Sequence, residues 1–110
     1  MGPLAVASVV LIPFPFSDLS ASKRRPAVVL ADAGKGDWIM CMVTSNPYAD
    51  AGAIRLENAD FVSGSLSVVS FARPGKLFTA SETLAGGTMG QLSVPCFARV
   101  RDAVVKMFGP

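Results

Sequence analysis

The chain has 110 residues, enough for one domain with an ordinary core and no disulfide support. Hydrophobic residues make up 51% and charged residues 16%, which excludes a disordered chain and implies some apolar surface covered by a partner. A formal charge of +2 is too small for the whole-protein field to point to nucleic acid, so a basic site must come from local clustering.

There is no histidine, and the two cysteines, Cys41 and Cys96, have neither metal-ligand spacing nor a disulfide framework. Serine–histidine, cysteine–histidine and two-histidine ribonuclease chemistry are excluded, and no metal or other cofactor is expected. The opening "MGPLAVASVVLIPFPF" is apolar but too short to span a bilayer. It lacks a basic n-region and carries Pro13 and Pro15. It reads as the approach to a strand, with no membrane association and a cytoplasmic location expected.

In chain order, "VVLIPF" (9–14) is a strand, stopped by the Pro- and Ser-rich loop "PFPFSDLSAS". The basic "KRR" (23–25) precedes Pro26 and a second strand, "AVVLA" (27–31). "ADAGKGD" (31–37) is a turn and "WIMCMVTS" (38–45) a third strand, closed by "NPYADAG". Shorter strands follow at "AIRLE" (53–57), "SLSVVSFAR" (65–73) and "KLFTA" (76–80).

The period then changes. Ser93 can cap a helix, Pro95 falls in its first turn, and Leu92 and Phe97 are spaced as a hydrophobic staple. Phe97, Val100, Val104, Met107 and Phe108 recur at three and four, which predicts a core-facing amphipathic helix of about four turns ended by Gly109. Many short strands and one packing helix point to a small, curled antiparallel barrel of the α+β class, spanning 1–110 as one domain.

Three features carry candidate chemistry. The Lys23–Arg24–Arg25 triplet reads either as a solvated loop or as a phosphate site, since arginine's planar fork of donors matches phosphate oxygens. Thr44 and Ser45 end the third strand; their hydroxyls either bond locally or donate to phosphate. A hairpin of 27–31 and 38–44 sets Arg25 beside Thr44. "FARPGKLFTAS" adds Arg73 and Lys76, as an exposed strand end or an extension of a basic groove.

"VVLIPFPFSDLSASKRRPAVVL", "MVTS", "SFARPGKLFTAS" and "GQLS" at the helix start together resemble the MazF/PemK family of toxin endoribonucleases, over residues 8 to 108. The resemblance implies a small SH3-like antiparallel β-barrel with a C-terminal α-helix, a barrel shared with the CcdB gyrase poisons. It also implies a homodimer that cuts single-stranded RNA (mRNA) without a metal and is silenced by a cognate antitoxin. Any DNA contact would arise only through the antitoxin complex.

By the same resemblance Arg25 is the catalytic arginine and Thr44 the catalytic threonine. Arg73 falls on the arginine of a secondary Arg-x-Asp motif, whose aspartate is here Gly75. Ser20 stands where many members have glutamate, so Asp18 is the nearby carboxylate and the candidate acid/base. Ala7–Ser8 replaces the usual Gly–Asp pair. Lys23, Arg24, Ser45, Arg73, Lys76, Phe16 and Tyr48 are candidate RNA contacts, the aromatics as platforms for splayed bases. Phe14 shares that candidacy, or is core. An ordinary arginine surrenders its proton too reluctantly to be a ready general base, so the base is left open by these substitutions. Two alternatives share the fold: a non-catalytic, gyrase-poisoning toxin, and a decayed member that only binds RNA or antitoxin.

Overall fold

The structure, a computed structural model, describes residues 4–15 and 22–109. Seven strands make one sheet: β1 (Ser8–Pro15), β2 (Ser22–Gly34), β3 (Asp37–Thr44), β4 (Ile54–Leu56), β5 (Phe61–Gly64), β6 (Ser70–Ser81) and β7 (Thr88–Leu92). One helix, α1 (Val94–Met107), follows. The strand order is β4-β6-β3-β2-β1-β7-β5, every pairing antiparallel, and the sheet curls into a half-barrel with β4 and β5 at its edges.

The high apolar content has a direct cause: the central strands are buried on both faces. Val9, Val28, Cys41, Val43, Ala72 and Leu92 face one core, together with Cys96 and Val100 of α1. The alternate residues Val10, Ile12, Ala27, Val29 and Met40 face a second core with Trp38 and Ala85. Trp38 is kept in that core by donating Nε1–H to Glu82 Oε2 at 3.2 Å.

Several predicted boundaries move, each for a physical reason. The basic triplet is not in a loop: Lys23, Arg24 and Arg25 lie on β2, paired with Phe14, Pro13 and Ile12. The predicted turn 31–37 shrinks to Lys35–Gly36, both at positive φ (56° and 81°), as a two-residue type I′ hairpin requires. The two strands predicted at 65–73 and 76–80 are one strand, β6, running through Pro74–Gly75. There Met42 alone stands opposite the four residues Arg73 to Lys76, because Cys41 pairs with Leu77 and Val43 with Ala72. In such a bulge proline's missing N–H costs no ladder bond. The Cys41 thiol donates to Arg73 O at 3.0 Å and satisfies a carbonyl the ladder leaves out. β5 and β7 have no counterpart among the predicted strands.

The helix starts as predicted. Ser93 Oγ accepts from Cys96 N at 3.3 Å, and Pro95 falls in the first turn. Leu92 and Phe97 pack in the same core. The predicted core face extends too far, however. Cys96 and Val100 are buried and Val104 half-buried, while Met107 and Phe108 are 61% and 80% exposed. Under its later turns α1 stands over an open apolar concavity lined by Leu30, Ile39 and Leu77, so Val105 and Phe108 are left uncovered.

Candidate active site

The juxtaposition of Arg25 and Thr44 rests on the β2–β3 register. Ala27 pairs with Met42, and the same register carried two residues further sets Arg25 opposite Thr44. Two bulges, at Val29/Ala31 and Asp32/Gly34, produce it. A hairpin running unbroken from the Gly34–Asp37 pair would have brought Asn46 opposite Arg25 instead.

Both residues line one cleft of about 240 Å³, with Ser45, Ser67, Val68 and Ser70 among its walls. Leu11, Pro26, Leu66 and Met89 supply apolar lining. Among the described residues larger concavities lie elsewhere, about 370 Å³ beside Leu56–Phe61, about 490 Å³ beside Asp50–Ile54 and Met107, and about 310 Å³ beside Ile39, Leu77 and Phe108. Chemistry rather than size singles out the small one: an arginine and several hydroxyls suit a phosphate.

Thr44 is 9% exposed. Its Oγ1 accepts from Asn46 N at 3.2 Å and donates to Asn46 O at 3.1 Å. The hydroxyl thus ties down the chain where it leaves β3, and a rotation of one bond is needed to turn its proton toward a ligand. Ser67, Val68 and Ser70 are hidden in the sequence because 65–73 reads there as one strand. Instead 65–69 arch over the cleft, held by Ser65 N donating to Met89 O at 3.2 Å and Ser70 Oγ donating to Val68 O at 3.0 Å. The serine-rich "SGSLSVVS" was the available signal, since serine bonds its own backbone in place of a ladder.

The remaining candidates divide. Ser45 is in the cleft wall. Arg24 lies elsewhere, against the 85–87 segment: a Cβ built on Gly86 would stand 2.5 Å from Arg24 Nη1. Lys23 is on β2 beside Phe14. Tyr48 is 74% exposed at the turn following Ser45. Lys76 is exposed on β6. Arg73 is not a cleft residue; its Nε donates to Asp50 Oδ2 at 2.9 Å. That bond, with one from Gly52 N, holds the Asp50 carboxyl below the usual carboxylate range. Phe16 and Asp18 lie outside the described residues.

Both cysteines are free and buried. Burial pushes the Cys41 thiol up to about 12 and the Cys96 thiol up as well, so both stay protonated and inert at neutral pH. Among the described residues no three Cys, Asp or Glu side chains group as metal ligands would, and no helix is long and apolar enough to cross a membrane.

Known structures share this architecture. MazF from Deinococcus radiodurans superimposes with a TM-score of 0.77 at 19% identity, covering 100% of both chains. A MazE–MazF complex from the same organism gives 0.77 at 20% identity, over 99% of this chain and 98% of that one. A mycobacterial endoribonuclease in complex with its cognate antitoxin gives 0.75 at 10% identity, over 99% and 96%. At these identities the likeness establishes the fold. A search of curated protein sequences gives no match. The sequence itself matches the family model of PemK-like, MazF-like toxins of type II toxin–antitoxin systems over residues 6–108. The chain belongs to that family and is built as its members are: a curled antiparallel sheet closed on one side by a C-terminal helix.

Proposed function

We propose that this toxin is a metal-independent, sequence-specific endoribonuclease that cuts single-stranded RNA, with Arg25 and Thr44 at the scissile phosphate. The observation that carries this is that paired strand ends deliver an arginine and a buried hydroxyl to one cleft. Ligand pockets usually run to about 300–1,000 Å³, so this smaller cleft suits one phosphodiester linkage of a polymer lying across it.

In the reaction the 2′-oxygen loses its proton and attacks phosphorus, and the 5′-oxygen departs with a proton. The products are a 2′,3′-cyclic phosphate and a 5′-hydroxyl. Arg25 supplies charge and two aligned donors to the non-bridging oxygens as negative charge builds there. Thr44 adds a third donor by turning its proton from Asn46 O toward the phosphate. Donors fixed before the reaction are usually the largest catalytic contribution. Asp18 is the carboxylate we assign to proton transfer, because it is the only one in the opening loop near Ser20, where many family members have glutamate.

The protein partners we assign are a cognate antitoxin and a second copy of the chain. What supports the second copy is an uncovered apolar patch, where Val105 and Phe108 at the end of α1 and Ile39 of β3 are exposed around one concavity. A two-fold contact would set this same apolar patch of each copy against that of the other. One observation favours a second reading, a gyrase-poisoning toxin: Met107 and Phe108 are exposed at the end of α1, the region that carries activity in CcdB-type toxins.

A long single-stranded RNA incubated with the protein in EDTA, beside Arg25→Ala, tests the proposal. Discrete cuts with cyclic-phosphate ends, lost in the variant, are the expected result. Intact RNA together with arrested gyrase would overturn it in favour of the second reading.

A further inference from the structure

Arg73, Asp50 and the loop 45–53 form an arrangement that neither the fold nor the proposed chemistry at Arg25 and Thr44 requires. Thr44 at the end of β3 pairs with Phe71, and Ile54 at the start of β4 pairs with Ala72. β6 lies between those two strands, so the loop joining them must cross over it. The bulge at Arg73–Lys76 frees Arg73 from the ladder directly under that crossing, and its guanidinium takes hold of Asp50 at 2.9 Å. Both side chains are three-quarters or more buried there.

The loop is also tied along its length. Asn46 N donates to Thr44 Oγ1, Tyr48 N to Asn46 Oδ1, Asp50 N to Pro47 O, and Gly52 N to Asp50 Oδ1. At its apex Tyr48 and Ala49 are both left-handed, with φ of 52° and 63°. Two successive non-glycine residues in that region persist only where surrounding contacts hold them. The outcome is an aromatic ring left 74% exposed on a segment that starts in the cleft wall at Ser45.

We propose that the Asp50–Arg73 ion pair is a latch that fixes the loop 45–53 so that Tyr48 stacks on a base of single-stranded RNA next to the bond held at Arg25 and Thr44. Asp50 and Arg73 are positioning residues in this assignment, and Tyr48 is the stacking contact. The inference rests on the RNA-cutting function proposed above. Its claim is additional: an arginine without a carboxylate two residues on, where Gly75 stands, has found its partner in the loop and serves recognition.

Tyr48 is the sole tyrosine, so uniform 3-fluorotyrosine labelling gives one fluorine resonance that reports on this ring. The probe is a fully 2′-O-methylated RNA of mixed sequence, which binds but cannot be cut. Wild type is expected to show one narrow line that shifts on adding this RNA. Asp50→Asn keeps the acceptor for Gly52 N while removing the ion pair, and Arg73→Met removes the other partner. Each should broaden or split the line and weaken RNA binding about tenfold, the loss expected of Tyr48→Ala for one stacked base. The double variant should be no worse than either single, as two members of one interaction behave. Wild-type line shape and affinity in Asp50→Asn, or additive losses in the double variant, would overturn the latch. Were wild type unable to cut unmodified RNA, the function proposed above would fall, and the fluorine line would still decide whether Asp50 and Arg73 hold Tyr48.

Discussion

Replacing Thr44 by valine separates the two roles of its hydroxyl, because valine keeps the β-branched shape and removes only the polar atom. In the folded protein the hydroxyl makes two local hydrogen bonds, at 3.1 and 3.2 Å, to an exposed residue, Asn46. Losing both costs about 1–2 kcal/mol, since such bonds are worth roughly 1 kcal/mol each and Asn46 can turn to water. A domain with about 5 kcal/mol of stability or more stays over 99% folded after that loss. Unfolding therefore cannot remove much activity. If the hydroxyl also donates to the phosphate as charge develops, the rate constant should fall about 100- to 1,000-fold, as it does when other preorganised donors are removed. Turning the proton away from Asn46 O costs about one hydrogen bond, which that gain exceeds. Single-turnover cleavage of RNA and urea denaturation are measured on the same preparations, with Thr44→Ser as the variant that retains the hydroxyl. A Thr44→Val protein that loses 1–2 kcal/mol yet cuts at the wild-type rate would refute the reasoning and leave Thr44 a loop anchor.

Three further outcomes follow from the packing. Cys41 titrates near 9 when unfolded and about 12 when folded, so over that window the unfolded chain binds fewer protons and stability falls with pH, by up to about 1.4 kcal/mol per unit. Urea midpoints taken from about pH 8 to 10.5 should drop less steeply in Cys41→Ala than in wild type, and equal slopes would contradict this. Gly90→Ala would place a Cβ 2.6 Å from Ser63 O and 2.8 Å from the Phe61 ring, prising β5 from β7. Overpacking of that kind costs about 1–3 kcal/mol, a drop of roughly 5–15 °C in Tm by calorimetry. Phe108→Glu should convert a dimer to a monomer in sedimentation experiments without lowering Tm by more than a few degrees, because that ring is 80% exposed within one copy.

Much of the fold is legible in the sequence because the strongest local signals agree with the tertiary arrangement. "VVLIPF", "AVVLA" and "WIMCMVT" are apolar on both faces, as central strands between two cores must be. The helix announces itself through Ser93, Pro95 and the 3.6-residue period. β5 and β7 are illegible for the opposite reason. "FVSG" and "TMGQL" are short and carry glycine, and they are strands only because each finds a partner far away in sequence. The bulge in β6 hides for a related cause: Pro74–Gly75 reads as a break, and only the partner strand shows that the chain continues beyond it. In the cleft, Arg25 and Thr44 are foreseeable from hairpin geometry, which is local. The wall at Ser67–Ser70 and the grip of Arg73 on Asp50 are contacts between distant segments without a repeating pattern.

The basic triplet shows how strand geometry chooses among residues that composition treats alike. Because it lies on β2, successive side chains leave on opposite faces. Arg25 and Arg24 cannot both serve one cleft, and they do not: Arg25 lines it, while Arg24 lies over Gly86. The two arginines therefore predict different kinetics. Arg25→Ala removes charge from the reacting phosphate, so single-turnover cleavage should fall by at least about 100-fold even at saturating RNA. Arg24→Ala removes only a cation that draws in the strand. It should raise KM, leave the saturated rate within about twofold, and reduce the slope of log affinity against log salt by about 0.7, the release from one phosphate of a single strand. Salt titrations of both variants check this, and equal losses of saturated rate would contradict it. Such equality would mean that the two guanidiniums reach the same phosphate, which alternation along an unbroken strand forbids.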